Sequence, residues 1–108
     1  MSNYLNSFHL NGHHVLVTGA GRGLGEACAL ALSEAGAEIT LVARSSDQLE
    51  SVAEQIRDSG GQASVHPADL TKMEEIRKLE ELGPFTILVN NAGINLSLIH
   101  ISEPTRPY

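Results

Sequence analysis

The sequence predicts an α/β fold in which four parallel strands form a doubly wound sheet in the order 3-2-1-4. Three observations lead there. Between residues 13 and 90, short apolar runs rich in β-branched residues alternate with stretches of helical period. Such alternation implies parallel strands joined by right-handed crossovers. A glycine cluster, Gly19-Ala-Gly-Arg-Gly-Leu-Gly25, separates the first run from the first helical stretch, and Gly36 and Gly60-Gly61 close the first two stretches.

Each element has its own reason. His14-Val-Leu-Val-Thr18 is short and bounded by glycines, as a buried parallel strand should be. In Glu26–Ala35, Ala27, Leu30, Ala31 and Glu34 fall at helical spacings. Its small residues suit close packing on a sheet, and Gly36 ends it at a C′-type position. Glu38–Ala43 reads as the second strand. Ser45, Ser46 or Asp47 can cap a second helix with Leu49, Val52, Ala53 and Ile56 inward and Glu50, Glu54, Arg57 and Asp58 outward. Ala63–His66 is a weaker third strand, limited by Pro67. Thr71 opens a charged helix with Met73, Ile76, Leu79 and Leu82 as candidates for its inward face, and Gly83-Pro84 breaks it. Phe85–Asn90 is the fourth strand and runs into Asn91-Ala-Gly93.

Composition narrows the function classes. The 108 residues suffice for one domain, and 42% are hydrophobic, which argues against a disordered chain. The longest apolar run, Ile39–Ala43, is strand-sized, so no membrane partner is expected. Residues Met1–Gly12 hold neither Lys nor Arg and no signal-like apolar core, so a cytoplasmic location is expected. A net charge of −6 speaks against a nucleic-acid partner. The lone Cys28 excludes an internal disulfide and a Cys-rich zinc site, and its expected role is buried packing. His13-His14 looks like a metal pair, but neighbouring strand residues face opposite ways and no third ligand is placed.

The chemistry lies in the glycine loop. A strand, a glycine-rich turn and a helix place free helical N–H groups at the strand's carboxyl end, where they favour a phosphate. Gly19 permits the tight turn, and Gly23 and Gly25 leave room for a pyrophosphate and for close helix–sheet packing. This is the logic of the Rossmann dinucleotide site, although the spacing is not G-x-G-x-x-G. What stands here is Thr18-Gly19-x-x-x-Gly23-x-Gly25.

That spacing resembles the dinucleotide motif of the short-chain dehydrogenase/reductase family. Asn90-Asn91-Ala92-Gly93 resembles the family's second signature, Asp69-Leu70 its acidic-aliphatic pair, and Phe8-x-Leu10-x-Gly12 its lead-in. The resemblance spans residues 8–95. It implies that Gly19 through Gly25, with Gly21, Arg22 and Leu24 between the other glycines, wrap the cofactor's phosphates and ribose. Asp69 would accept from the adenine amino group beside the Leu70 backbone, although it could equally cap the helix after Thr71. Asn91, Ala92 and Gly93 would line the nicotinamide-side ribose and brace the sheet's centre.

An acid after the second strand selects NAD(H) by taking the ribose hydroxyls, whereas a base there suits a 2′-phosphate. Here neutral Ala43 is followed by Arg44, and Arg22 could close on the same phosphate from the loop. NADP(H) is therefore favoured. NAD(H) stays open, because Asp47 could serve as a displaced ribose acceptor.

In the resembling family a tyrosine and a lysine in Tyr-x-x-x-Lys, helped by an upstream serine, carry the proton chemistry. The chain's lysines, Lys72 and Lys78, follow Ala68 and Glu74 at that spacing, so it holds no such pair. The expectation is an N-terminal part of a Rossmann domain over residues 1–95, truncated after the fourth strand, and inactive alone. Its parent, implied by the resemblance to be a homo-oligomer, would exchange hydride between NADP(H) and a small carbonyl or alcohol substrate. In general look it is similar to 3-oxoacyl-carrier-protein reductases and gluconate-type sugar dehydrogenases. A freestanding dinucleotide-binding regulatory module is the alternative.

Residues 96–108 read differently. Leu96-Ser-Leu-Ile-His-Ile-Ser-Glu-Pro-Thr-Arg106 matches, residue for residue, a translation of a transposase adapter used in sequencing libraries. The tail is therefore expected to be foreign and to stand outside the fold.

Overall fold

The β-branched runs become four strands: β1 (His14–Thr18), β2 (Glu38–Ala43), β3 (Gln62–Pro67) and β4 (Ile87–Asn90). A computed structural model describes residues 9–93 together with Leu96, Ile99 and Ile101. Phe8 of the lead-in, Ile94 and Asn95 lie outside the described residues. The strands form one sheet in the order β3-β2-β1-β4, and every neighbouring pair is parallel. This is the order the sequence predicts. Helices α1 (Gly23–Glu34), α2 (Ser46–Asp58) and α3 (Met73–Glu80) make the crossovers.

Strand alternation divides the core in two. Val15, Val17, Ile39 and Leu41 face α1 and α2, where they meet Ala29, Leu49, Val52, Ala53 and Ile56. Leu16 and Val42 point the other way, toward Ile76 and Leu79 of α3 and toward Phe85. Residues on both faces of β1 are therefore fully buried, which explains its unbroken apolar run. The register pairs Thr18 with Val42 and with Asn90, so the carboxyl ends of β2, β1 and β4 lie level.

Helix ends follow the punctuation in the sequence. Gly36, at φ 106°, closes α1: its N–H donates to the Ser33 carbonyl at 2.9 Å, and that of Ala37 donates to Leu32 at 3.2 Å. Ser45 caps α2 by accepting the Gln48 N–H at 3.3 Å.

Five expectations need correction. Helix α1 begins at Gly23, inside the loop, and buries Gly25 and Ala29, while Ala27 and Ala31 are exposed. An alanine-rich helix carries little amphipathic signal, so its inward face is set by the closest approach to the sheet. For the same reason Cys28 is only half-buried. In α3, Met73 and Leu82 are 55% and 38% exposed. The helix spans only eight residues, and of these Ile76 and Leu79 are the ones buried in the second core. Strand β4 starts two residues late because Phe85 turns into the second core, its ring centroid 4.6 Å from that of His14. Strand β3 runs on through Pro67, which an edge strand tolerates.

Three residues of the tail lie against the sheet. Leu96 and Ile99 are 5% and 6% exposed within the second core, and Ile101 forms a parallel bridge with Phe85. They cover apolar surface on the face that α1 and α2 leave open.

Candidate functional site

The carboxyl end of β1 organises the site. Thr18 is fully buried; its hydroxyl donates to Asn90 Oδ1 at 3.0 Å and accepts the Ala92 N–H at 3.3 Å. One β-branched residue thus closes a strand and ties it to the turn after β4. The glycine loop is held at both sides: Asn91 Nδ2 donates to the Gly19 carbonyl at 3.2 Å, and the Ala20 N–H donates to Val42 at 3.2 Å. Gly19 sits at φ 62°, a left-handed conformation that glycine adopts without strain. At Gly25 an added Cβ would strike the Gly19 carbonyl, so only glycine lets α1 lie this close.

Beside the loop opens a cavity of about 420 Å³. The predicted residues Gly19, Arg22, Ala43, Arg44, Asp69, Leu70 and Ala92 line it. Of the others, Thr18 lies beneath it, Asn91 braces the loop, and Gly21 lies under the Gln48 side chain. Gly23, at φ 61°, has open space where a Cβ would stand, so its backbone is free to be approached. Leu24 is 69% exposed and outside the lining, and Gly93 is exposed just past the turn. Sequence reasoning missed Ser45, Gln48, Ala68 and Thr71 as lining residues.

The electrostatics have two poles. Arg22 and Arg44 bring positive charge to the loop side. Arg22 is also the N-cap of α1 and makes no side-chain capping bond, and the first-turn acid, Glu26, accepts from Gln55 Nε2 of α2 at 3.1 Å. Opposite stands Asp69, whose Oδ1 accepts from the Thr71 hydroxyl and from the Thr71 N–H at 3.0 Å. This turn, rather than a cap on α3, is its structural role. The Asp69 N–H in turn donates to Glu75 Oε1 at 2.7 Å.

The Thr71 hydroxyl, then the Thr71 N–H, hold the Asp69 carboxyl below its ordinary value of 3.8, and Arg44 and Lys72 add to this. A depressed folded-state pKa makes the contribution of Asp69 complete above 3.8 and lost as pH falls through the lower folded value. An NMR titration should give an Asp69 midpoint under 3.8, and Thr71→Val should move it upward. A midpoint at or above the ordinary value would show that the turn does not form.

His13 Nδ1 lies 2.9 Å from Thr86 Oγ1, just before β4, and His14 Nε2 lies 2.7 Å from Thr40 Oγ1 in β2, so the two adjacent rings diverge. Among the described residues no three His, Cys, Asp or Glu side chains cluster as metal ligands, and no helix is long and apolar enough to cross a membrane. A wider groove of about 720 Å³ opens at the amino ends of the strands, among Asn11, Glu34, Glu38 and Gly60. Doubly wound sheets bind ligands at the opposite, carboxyl end, where the glycine loop lies.

Comparison with known proteins agrees with this geometry. The short chain dehydrogenase family model matches residues 13–106. An uncharacterised oxidoreductase of Mycobacterium tuberculosis is 38% identical over 107 residues, covering 94% of this chain and 41% of its own length. A metagenomic short-chain oxidoreductase solved with NADP superposes with a TM-score of 0.75 at 38% identity, over 79% of this chain and 41% of its own. A 7α-hydroxysteroid dehydrogenase solved with NADH gives a TM-score of 0.75 at 34% identity, over 83% and 37%. The chain spans 27% to 41% of the length of the curated relatives it matches. With its glycine loop, its Asn-Asn-Ala-Gly turn and its sheet order all in place, the chain belongs to the short-chain dehydrogenase family.

Proposed function

We propose that this chain is the NADP(H)-binding part of a short-chain oxidoreductase that exchanges hydride with a carbonyl or alcohol substrate. One observation carries the choice of cofactor: Arg22 and Arg44 line the same cavity, whereas Asp47, the acid that would favour NAD(H), does not line it. Guanidinium groups converging from the loop and from the end of β2 suit the dianionic 2′-phosphate. Solved relatives hold NADP in one case and NADH in another, so family membership alone does not choose.

The residues fit a dinucleotide. The cavity has the size of a small-ligand pocket. Asp69 and Leu70 would hold the adenine, the loop from Gly19 to Gly25 the pyrophosphate, and Asn91 to Gly93 would lie at the nicotinamide-side ribose. When bound, the nicotinamide supplies or accepts hydride. The chain lacks the Tyr-x-x-x-Lys pair that moves the matching proton, so it binds without turning over. The complete enzyme is a cytoplasmic homo-oligomer acting on a small molecule, with 3-oxoacyl and sugar-acid substrates the nearest classes.

A calorimetric titration tests this. NADP⁺ should bind more tightly than NAD⁺, and Arg44→Ala should weaken NADP⁺ by about 10- to 100-fold, the loss of a charge-assisted bond, with little change for NAD⁺. Equal affinity of the unaltered chain for both would overturn the reading. A second reading, a freestanding dinucleotide-binding module, is favoured by the burial of Leu96 and Ile99 over the second face. It calls for a cooperative thermal transition of the chain alone that NADP(H) raises.

A further inference from the structure

We propose that Gln48 is a specificity-determining residue of this site: its neutral amide, laid across Gly21 in the cavity that Arg22 and Arg44 also line, donates to the 2′-phosphate. The inference rests on the NADP(H) reading above and adds to it a third group, supplied by α2.

Its placement follows from the local geometry. A Cβ built on Gly21 would stand 2.7 Å from Gln48 Oε1 and 2.9 Å from Gln48 Cβ. The side chain therefore crosses from α2 onto the glycine loop and fills the space that any larger residue 21 would take. The backbone from which it springs is set by the cap of α2, where the Gln48 main-chain N–H donates to Ser45 Oγ at 3.3 Å.

The chemistry follows from the residue type. A side-chain amide carries two N–H donors and one acceptor and can turn either edge outward. The phosphate accepts only, so the donor edge is the one that serves. Gln48 lines the cavity together with Arg22 and Arg44. At that position glutamate would keep the shape, pair with the arginines, and repel the phosphate they hold.

Binding of 2′,5′-ADP and 5′-ADP to the full chain, measured by calorimetry, is the test. Gln48→Glu should weaken 2′,5′-ADP at least tenfold and change 5′-ADP by less than about twofold. Gln48→Met, which keeps length without donors, should weaken 2′,5′-ADP roughly three- to tenfold. A residue that merely packs on Gly21 would move both ligands alike. If the unaltered chain prefers 2′,5′-ADP and neither variant changes the ratio, Gln48 plays no part in selection. If the unaltered chain does not prefer 2′,5′-ADP, the two-arginine reading itself fails. Gly21→Ala supplies an independent check: it should displace the amide and lower 2′,5′-ADP affinity, and adding Gln48→Met should cause no further loss. Additive losses would overturn the proposal.

Discussion

Gly25→Ala should both destabilise the chain and abolish its dinucleotide binding. The new methyl would be driven into the Gly19 carbonyl, 2.8 Å from the Gly19 carbonyl carbon and 3.0 Å from Asn91 Nδ2. None of these is the free end of a flexible side chain. The Gly19 carbonyl is backbone in a turn, and Asn91 is held by its bond to that same oxygen at 3.2 Å. Relief must come from moving α1 off the sheet or from opening the loop. Overpacking of this kind costs about 1–3 kcal/mol and sometimes more. For a domain of this size that corresponds to a fall in Tm of about 5–20 °C. Binding should suffer further, since the same displacement carries the helix N–H groups away from the pyrophosphate. Gly23→Ala is the control. Its Cβ would meet nothing within 4 Å, so its cost is only that of a φ of 61°, about 1–2 kcal/mol. Thermal melts of the two variants should therefore separate packing from backbone strain. A Gly25→Ala chain that melts and binds like the original would remove the close contact as the reason for this glycine.

How much of this was legible beforehand differs by element. Strands β1 and β2 announce themselves through β-branched runs, and α2 through Leu49, Val52, Ala53 and Ile56, because in these the local pattern and the tertiary demand coincide. The face of α1 was hidden, since its orientation is decided by one backbone contact at Gly25 and alanines give no contrast. Phe85 looked like strand and proved to be a core anchor because its partner, His14, lies 71 positions earlier. In the site, the glycine loop, Asp69 and both arginines could be named from motifs that are contiguous in the chain. Gln48 and Thr71 could not, because they line the cavity only once α2 and the turn after β3 fold back toward the loop. The bond from Asn91 to Gly19 spans 72 positions and is likewise a product of sheet order rather than of local sequence.

Leu96→Ala and Ile99→Ala should each destabilise the chain by about 2–5 kcal/mol, the usual cost of emptying a buried aliphatic position. Both side chains lie in one cluster with Leu16, Leu79 and Phe85, so the double variant should lose less than the sum. Against a typical stability of about 5–15 kcal/mol, even one is a large fraction. Urea unfolding checks this: the midpoint should fall while the slope stays near that of the original chain. An unchanged midpoint would place these residues outside the cooperative core. The result bears on what a sheet face requires of its cover. The adapter-like reading of residues 96–106 supplies Leu96, Ile99 and Ile101 within six positions, and two of them are nearly as buried as the core proper. Apolar character and roughly fitting volume suffice to occupy such a face, whereas finer complementarity adds the last increments of stability and order. Strand β4 sharpens the point, because it is an edge strand and its Ile87, Leu88 and Val89 are only half-buried. Losing Leu96 and Ile99 would bare more apolar surface beside that edge, and unpaired edges of this kind pair with other chains. The double variant should therefore aggregate at concentrations where the original stays monodisperse, which light scattering during the same melts would record.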